Sequence, residues 1–202
     1  MVGITAGGQA TADAIRREAA DLFSTHGYEA TSLRQVAAKC GITVGSLYNH
    51  ISSKEDLLLQ IMGGTMDELT AQVAAAVERV EDPLERLVAF LSNHISFHAE
   101  QAQRVFIGNS ELRSLPADLR AEITAKRRAY RRQVEELILE AAKAGQTEVV
   151  NARLHAYNII AIGTDVATWY RPGGEFSLER IVKDYTEIIL RSLGASAKAA
   201  SH

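Results

Sequence analysis

Apolar side chains recur at intervals of three or four residues along most of the chain, which is the spacing of one face of an α-helix. The first such stripe is Ile15, Ala19, Leu22 and Phe23, and later segments repeat the pattern. No segment of strand length alternates apolar and polar residues. The pattern therefore predicts an all-α protein.

Residues that begin or end helices divide this pattern into elements. Ser32-x-x-Gln35 is a capping box, Thr43 is a second N-cap, and Asp82-Pro83 opens another helix. Glycines that follow the apolar stripes mark helix ends. The predicted helices cover about residues 11–26, 32–40, 44–50, 53–79, 83–98, 116–144, 151–170 and 177–193.

Composition limits the class of protein. The chain has 202 residues, of which 47% are hydrophobic and 23% are charged, so it can bury a sizeable core. A single cysteine excludes a disulfide framework and a zinc site built from thiolates. The chain start lacks the pattern of a secretory signal, and no apolar run reaches the roughly 18 residues of a membrane span. We expect a soluble, cytoplasmic protein without a membrane partner.

Two short predicted helices, joined by the tight turn Lys39-Cys40-Gly41-Ile42, have the dimensions of a helix-turn-helix. The net charge of −3 does not decide whether this unit binds DNA, because residues 1–54 have a small positive excess and the remainder is acidic. Close approach to base edges in a major groove requires small or polar residues at the start of the second helix. Those residues are Thr43, Val44, Gly45 and Ser46.

Residues 13–60 closely resemble the DNA-binding segment of the TetR transcriptional regulators. The matching residues are Ala19, Leu22, Phe23, Gly27-Tyr28, Ala30-Thr31-Ser32, Val36-Ala37, Gly45-Ser46-Leu47-Tyr48-Asn49-His50 and Ser53-Lys54-Glu55-Asp56-Leu57-Leu58. The resemblance implies about nine helices, with an N-terminal helix-turn-helix domain and a larger helical body. We predict a flexible arm at 1–10, the DNA-binding domain at 11–54, the ligand-binding and dimerisation domain at 55–194, and a disordered tail at 195–202.

The resemblance and the chemistry of base and phosphate contacts together predict the residues that touch DNA. Val44 is suited to a thymine methyl group and Thr43 to a base or a phosphate. Tyr48, His50 and Lys54 lie where the family places phosphate contacts. The complete predicted set is Ser32, Arg34, Thr43, Val44, Gly45, Ser46, Tyr48, Asn49, His50 and Lys54.

Several residues in this segment are expected to be structural or depart from the family pattern. Leu47 and Ile51 have the spacing of core residues, although the family usually has an aromatic residue where Ile51 stands. Cys40 is expected to be a buried small side chain and not a redox-sensing thiol. Because the arm lacks lysine and arginine, its usual basic contact is either missing or supplied by Arg16 or Arg17.

In the second half, the runs Trp169-Tyr170-Arg171-Pro172-Gly173-Gly174 and Glu111-Leu112-Arg113-Ser114-Leu115 resemble the TetR subgroup that senses acyl-CoA thioesters. The alternative interpretation of the first run is a helix stop, with Trp169 in the core. An apolar stripe on the fifth predicted helix is more typical of core than of a pocket, although a protein of this architecture has both on the same helices. The predicted ligand-binding residues are Phe90, His94, Phe97, Phe106, Tyr130, Trp169 and Arg171.

Two further clusters have both a structural and a functional interpretation. His94 and His98 have the spacing of metal ligands, but no second ligand group accompanies them, so hydrogen-bonded histidines are favoured. A basic run is either a solvated face paired with Glu135 and Glu136 or a site for the phosphates of coenzyme A. That run contains Lys126, Arg127, Arg128, Arg131 and Arg132.

These observations predict a homodimeric, ligand-responsive repressor that binds an inverted-repeat operator in double-stranded DNA. We expect release by a small-molecule effector, an acyl-CoA thioester or a similar catabolic intermediate, with no cofactor and no metal. Sequence motifs of common enzymes are absent, which argues against catalysis. Two alternatives are open: a regulator that responds to another small apolar ligand (a drug, steroid or aromatic compound), and a ligand-free architectural DNA-binding protein.

The dimer is predicted to form through the last two helices. Their apolar residues are too many for one thin helical layer to hide. The residues assigned to this surface are Ala156, Ile159, Ile160, Gly163, Ala167, Ile181, Tyr185, Ile188 and Ile189.

Overall fold

The computed structural model describes residues 6–195 and contains, in that range, nine α-helices, one short 3₁₀ helix and no strand. The all-α prediction is confirmed. The helices are α1 (Ala6–His26), α2 (Leu33–Lys39), α3 (Val44–Leu47), α4 (Lys54–Glu78), α5 (Pro83–Glu100), α6 (Ala102–Ser110), α7 (Ala117–Lys143), α8 (Ala152–Trp169) and α9 (Leu178–Ser192). The 3₁₀ helix is Leu112–Ser114, between α6 and α7.

The start of α1 was predicted wrongly. The helix begins at Ala6, so residues 6–10 are helical, whereas the sequence pattern placed them in a flexible arm ahead of a cap at Thr11. Small residues at this end, including Gly7 and Gly8, suggested a break that the backbone does not make. The rest of the predicted arm, and residues 196–202 of the predicted tail, lie outside the described residues.

Helix α6 was not predicted at all. The chain passes from α5 to α6 at Gln101, where a φ of −103° and a ψ of 27° interrupt the helix without a glycine or a proline to mark the break. The buried residues of α6, Val105 and Ile107, are two positions apart, which is not the spacing of a helical stripe. Sequence periodicity therefore gave no signal for this element.

The N-caps predicted at Ser32, Thr43 and Asp82 are confirmed. The Ser32 hydroxyl accepts a hydrogen bond from the Gln35 backbone N–H at 3.3 Å, and Gln35 Oε1 accepts from the Ser32 backbone N–H at 2.7 Å. Asp82 Oδ1 accepts from two backbone N–H groups of α5, each at 3.0 Å. Asn151 and Ser177 cap α8 and α9 in the same way. Each cap satisfies N–H groups that have no partner inside the helix.

The first compact unit contains the described residues up to Thr65 together with Gln103–Ile123. It is therefore larger than the predicted domain 11–54. Its core includes Phe23, Leu47 and Leu58, and also Ile107 from α6 and Ile123 from α7. Helices α2 and α3 are short and cannot enclose a core with α1 alone, so the first half of α4, helix α6 and the start of α7 complete it.

The second compact unit contains Met66–Ala102 and the described residues from Thr124 onward, and α5 is its central helix. Both α8 and α9 pack against α5. The second half of α4 and most of α7 contribute further apolar side chains, among them Val73 and Val134. A smaller apolar cluster around Ile95 and Val166 joins α5 to the end of α8.

The residue assignment for the dimer surface needs correction. Ala156, Ile159 and Gly163 of α8 and Ile181 and Ile189 of α9 are buried within the subunit, because this face packs on α5. The opposite faces carry the exposed apolar residues, which are Leu154, Tyr157 and Trp169 on α8 and Ile188 on α9. Sequence periodicity identifies the apolar face of a helix, but it does not show whether that face packs against the same subunit or against a second copy.

Within residues 6–195, no helix combines the length and the hydrophobicity that crossing a bilayer requires.

Candidate DNA-binding surface and effector site

Helices α2 and α3 form a compact helix-turn-helix. The Ile42 backbone N–H donates to the Ala37 carbonyl at 3.0 Å, and Gly41 adopts a φ of 67° that favours glycine at this turn. Helix α3 is short, and hydrogen-bonded turns continue it as far as His50. Leu47 is fully buried and thereby fixes α3 on the unit beneath it, as predicted.

The N-terminal face of α3 is accessible. Thr43 and Gly45 are exposed, Val44 and Ser46 are half-buried, and the Thr43 hydroxyl accepts the Ser46 N–H at 3.0 Å as the N-cap. A Cβ atom at Gly45 would meet only this hydroxyl, at 3.8 Å, which is ordinary contact. Packing inside the chain therefore does not require glycine at this position.

The residues that follow α3 also face solvent. Tyr48 is 53% exposed, Asn49 is exposed, and His50 is half-buried. Gln60 donates to the His50 carbonyl at 3.3 Å, which ties the end of the α3 segment to α4. Ile51 is buried in the core, as expected.

The side chains of the other predicted DNA contacts differ in exposure and in the hydrogen bonds that they already make. Arg34 is exposed on α2, whereas the Ser32 hydroxyl already donates to Gln35 Oε1 at 2.8 Å within the capping box. Lys54 lies 4.2 Å from the centre of the Tyr28 ring, and its ammonium group donates to the Glu29 carbonyl at 3.3 Å. The Lys54 charge is thus held in one place at the start of α4.

The remaining candidates near α1 and the turn are engaged or shielded. Arg16 pairs with Asp13 and donates to Gln60 Oε1 at 3.4 Å, and Arg17 pairs with Glu18. Burial raises the pKa of the half-buried Cys40 thiol, and a raised pKa lowers the thiolate fraction on which redox sensing depends.

Four of the predicted effector residues lie in the core of the second unit. The ring centres of Phe90 and Tyr130 are 5.3 Å apart, and those of Phe90 and His94 are 5.8 Å apart. Phe97 is buried in the same apolar cluster. These residues therefore form packed core, and Phe90 alone among them also lines a cleft, described below.

His94 and His98 are buried and hydrogen-bonded, as favoured from the sequence. The His98 Nδ1–H donates to the His94 carbonyl at 2.7 Å, which leaves His98 Nε2 to accept from the Thr164 hydroxyl at 3.3 Å. His94 Nε2–H donates to the Ile160 carbonyl at 3.4 Å, so His94 Nδ1 accepts from the Tyr130 hydroxyl at 2.9 Å. Both rings are neutral in this arrangement.

Burial governs the ionisation of this network. It lowers the pKa of His98 to about 4 and that of His94 well below its usual value, and the neighbouring His98 adds to the latter effect. Burial also raises the pKa of Tyr130. No group of three or more side chains suited to metal binding occurs within residues 6–195.

The His94 ring enters a notch in α8 at Gly163. A Cβ atom at Gly163 would lie 2.3 Å from His94 Cδ2 and 2.6 Å from His94 Nε2, far inside contact distance. Glycine at this position therefore allows α8 to approach α5 closely.

Three predicted effector residues lie elsewhere. Phe106 belongs to the first compact unit and is 55% exposed. Trp169, at the end of α8, is partly exposed and packs edge-on against Tyr185 with ring centres 6.3 Å apart. Arg171 is exposed and donates to the Tyr170 and Thr168 carbonyls at 2.6 and 3.2 Å, so it caps the C-terminus of α8.

The basic run of α7 is partly engaged. Lys126 pairs with Asp67 of α4, and the Arg131 guanidinium lies 4.4 Å from the centre of the Tyr157 ring on α8. Arg131 Nε is buried without a hydrogen-bond partner among the described residues. Burial lowers the pKa of Arg127.

A cleft of about 380 Å³ opens between the second half of α4, the first half of α5 and the C-terminal half of α7. Its size is in the range of small-molecule sites. Phe90 is the one predicted effector residue that lines it, and none of the other lining residues was predicted to belong to an effector site.

Two family models match the chain. The model described as "Bacterial regulatory proteins, tetR family" covers residues 15–61, and "Tetracyclin repressor-like, C-terminal domain" covers residues 80–193. The chain belongs to the TetR family. The resemblance inferred from residues 13–60 is therefore confirmed, and the second match extends it over the helical body.

Individual relatives agree with this assignment. The HTH-type transcriptional repressor KstR2 of Mycobacterium tuberculosis is 30% identical over 175 residues, which cover 85% of this chain and 87% of that protein. A TetR-family regulatory protein from Rhodococcus RHA1 superimposes with a TM-score of 0.85 and 28% identity over 92% of this chain and 98% of its own. AibR, crystallised with isovaleryl coenzyme A and operator DNA, gives a TM-score of 0.80 and 31% identity over 88% of this chain and 97% of its own. The relatives are regulators and not enzymes, and this TetR-family chain is a DNA-binding transcriptional regulator.

Proposed function

We propose that this TetR-family chain is a homodimeric repressor that leaves its operator when a small-molecule effector, an acyl-CoA thioester, binds the helical body. The observation that carries the two partners of the proposal is the similarity to AibR, whose crystal structure contains both isovaleryl coenzyme A and operator DNA. The release step is the part that the DNA-binding experiment below tests. The accessible face of α3 provides the matching DNA-binding surface in this chain.

The start of α3 enters the major groove. Gly45 lets the backbone approach the bases, because a side chain there would extend into open space in front of the helix. Val44 and Thr43 read base edges, whereas Tyr48 and Lys54 bind phosphates on either side. The fixed position of Lys54 over the Tyr28 ring keeps its charge pointed at one place on the backbone of DNA.

The second copy binds through the exposed faces of α8 and α9. Leu154 is 65% exposed, Ile188 is 54% exposed, and Tyr157 lies on the same exposed face of α8 as Leu154. Exposed apolar residues on adjacent long helices are typical of an isologous dimer interface. Two symmetry-related α3 helices then require an operator with an inverted repeat.

Effector binding is coupled to DNA through α4. This helix belongs to the DNA-binding unit up to Thr65 and to the helical body from Met66 onward, so a ligand that displaces its second half also acts on its first half. A differential affinity of roughly 1–3 kcal/mol between the two states gives the 5- to 150-fold loss of DNA affinity that is typical of such coupling.

The basic run of α7 is the candidate contact for the phosphates of coenzyme A. Arg131 offers a buried Nε without a partner, which makes it the most direct candidate in that run. Arg171 is not part of the proposed contact, because its guanidinium already caps α8.

Fluorescence anisotropy on DNA from upstream of the gene tests the proposal. We expect the dimer to bind this duplex and a panel of acyl-CoA thioesters to contain one that releases it, whereas free coenzyme A and the free acids do not. Arg131→Gln should weaken that release, and Arg79→Gln, at an exposed position directly after α4, is the matched control.

The other outcomes separate the alternatives. Release by an uncharged drug, steroid or aromatic compound, but by no thioester, would identify a TetR regulator with a different effector. DNA binding that no compound alters would support an architectural protein and overturn the proposed gating.

A further inference from the structure

The segment from Tyr48 to His50, which carries three of the predicted DNA contacts, is fastened at both of its ends. Leu47 before it and Ile51 after it are buried in the core of the first compact unit. The backbone N–H groups of His50 and Ile51 both donate to the Leu47 carbonyl, at 2.9 and 3.3 Å. These bonds use N–H groups of the turn, and the His50 carbonyl is bound from another helix.

The partner of that carbonyl is the side-chain amide of Gln60, within the first two turns of α4. Gln60 Nε2 donates to the His50 carbonyl and to Asp56 Oδ1, at 3.3 Å in each case. Asp56 Oδ2 in turn accepts from the backbone N–H and the hydroxyl of Ser52, at 2.7 and 2.9 Å. Gln60 and Asp56 therefore hold the chain at residues 50 and 52, at the end of the exposed segment.

Arg16 of α1 determines which way the Gln60 amide faces. Arg16 Nη1 donates to Gln60 Oε1 at 3.4 Å, and Arg16 Nη2 is paired with Asp13. Because a guanidinium group has only donors, the amide oxygen must lie toward Arg16 and the amide nitrogen toward the His50 carbonyl. Both hydrogens of the amide nitrogen then have acceptors. The amide is thus held by α1 in the one orientation that supports the segment after α3.

We propose that Gln60 is a positioning residue for DNA binding and that Arg16 acts through it, without touching DNA. The pair holds the backbone of the Tyr48–His50 segment in its binding conformation, so less ordering is needed when DNA binds. Arg16 then does not supply the basic contact of the arm, which the sequence left open. The inference rests on the proposed contact of α3 with DNA and adds residues outside the predicted contact set.

Fluorescence anisotropy of the intact protein on the upstream duplex and on a random duplex tests the role of Gln60. Gln60→Met keeps the length of the side chain and removes its three hydrogen bonds. We expect about a three- to tenfold loss of affinity for both duplexes, because those bonds fix a segment that faces DNA. Gln72→Met should bind like the wild type. It is the matched control because Gln72 makes the same kind of bond within α4, to Glu68 at 3.3 Å, and belongs to the second unit.

The charge of Arg16 allows a second test, because a phosphate contact and a positioning role differ in salt dependence. A side chain that neutralises a phosphate adds about 0.9 to the slope of log affinity against log salt concentration. Arg16→Met should weaken binding about two- to fivefold and leave the slope close to that of the wild type. Lys54→Met, at a predicted phosphate contact, should lower the slope by about 0.9. In a Gln60→Met background, Arg16→Met should have no further effect.

Wild-type affinity of a folded Gln60→Met protein would overturn the proposal. So would a slope lowered by about 0.9 in Arg16→Met, or an equal loss with and without Gln60, because Arg16 would then bind phosphate directly. Thermal melts by circular dichroism measure the folded fraction of each variant, and an affinity loss that this fraction explains would show a structural role alone and also overturn the proposal.

Tyr48→Phe on the same duplexes separates this inference from the proposed function. If Tyr48→Phe and Gln60→Met both bind like the wild type, the placement of α3 on DNA has failed. If Tyr48→Phe binds more weakly and Gln60→Met does not, the positioning role alone has failed.

Discussion

Replacing Gly163 with alanine tests the close packing of α5 and α8. The added methyl group would lie 2.3 Å from His94 Cδ2, and the ring cannot move away freely because it is buried and bound to Tyr130. Overpacking costs about 1–3 kcal/mol and a lost hydrogen bond about 1 kcal/mol, while the better helix propensity of alanine returns about 1 kcal/mol. The net destabilisation is about 1–3 kcal/mol.

Thermal and urea denaturation at fixed protein concentration measures this loss. The expected drop in Tm is roughly 2–12 °C for a chain of this length. Gly64→Ala is the matched control, because a Cβ atom there meets nothing within 4 Å in the middle of α4. That variant should be more stable than the wild type by about 0.5–1 kcal/mol.

A double variant tests whether contact with the His94 ring causes the destabilisation by Gly163→Ala. With His94→Ala already present, the notch is empty, so adding Gly163→Ala should be neutral or stabilising. The reasoning is refuted if Gly163→Ala alone matches the wild type, or if it costs as much without the His94 ring as with it.

Three further predictions concern pH, DNA and the end of α8. Since burial lowers the folded-state pKa of His98 to about 4 from its usual 6.5, its contribution is complete above pH 6.5 and is lost as the pH falls toward 4. Urea titrations should show a loss of about 3 kcal/mol from this group, and a flat profile would contradict its neutral burial. In filter binding, Tyr48→Phe should weaken operator and random DNA equally, whereas Val44→Ala should also lower the ratio between them; equal ratios would exclude base reading by Val44. Arg171→Ala should leave effector release unchanged and cost less than about 1 kcal/mol, and a lost response would restore Arg171 to the effector site.

The DNA-binding unit could largely be predicted from sequence because its signals are local. Three of these signals are the capping box at Ser32, the cap at Thr43 and the glycine at position 41. Each depends on residues close by in the sequence, so the start of α2, the start of α3 and the turn between them can be predicted from sequence. The apolar positions Leu47 and Ile51 are buried, as predicted from their spacing.

The effector region was harder to predict because it depends on which helix packs on which. Phe90, His94 and Phe97 share one stripe, which is more typical of core but also occurs in pockets. Only the notch at Gly163 shows how closely His94 packs against α8. The run from Trp169 to Gly174 was assigned partly to ligand binding, although Arg171 caps α8. The lining of the cleft combines residues of three helices that no sequence spacing connects.

One measurement tests most directly the claim that the start of α3 lies against DNA. Gly45→Leu places a side chain where the chain itself has no obstruction, so the variant should fold normally and melt at the wild-type temperature. Fluorescence anisotropy on the upstream duplex should then show at least about a tenfold loss of affinity, since the added side chain holds the helix away from the base edges. Wild-type affinity in a normally folded Gly45→Leu protein would contradict the account.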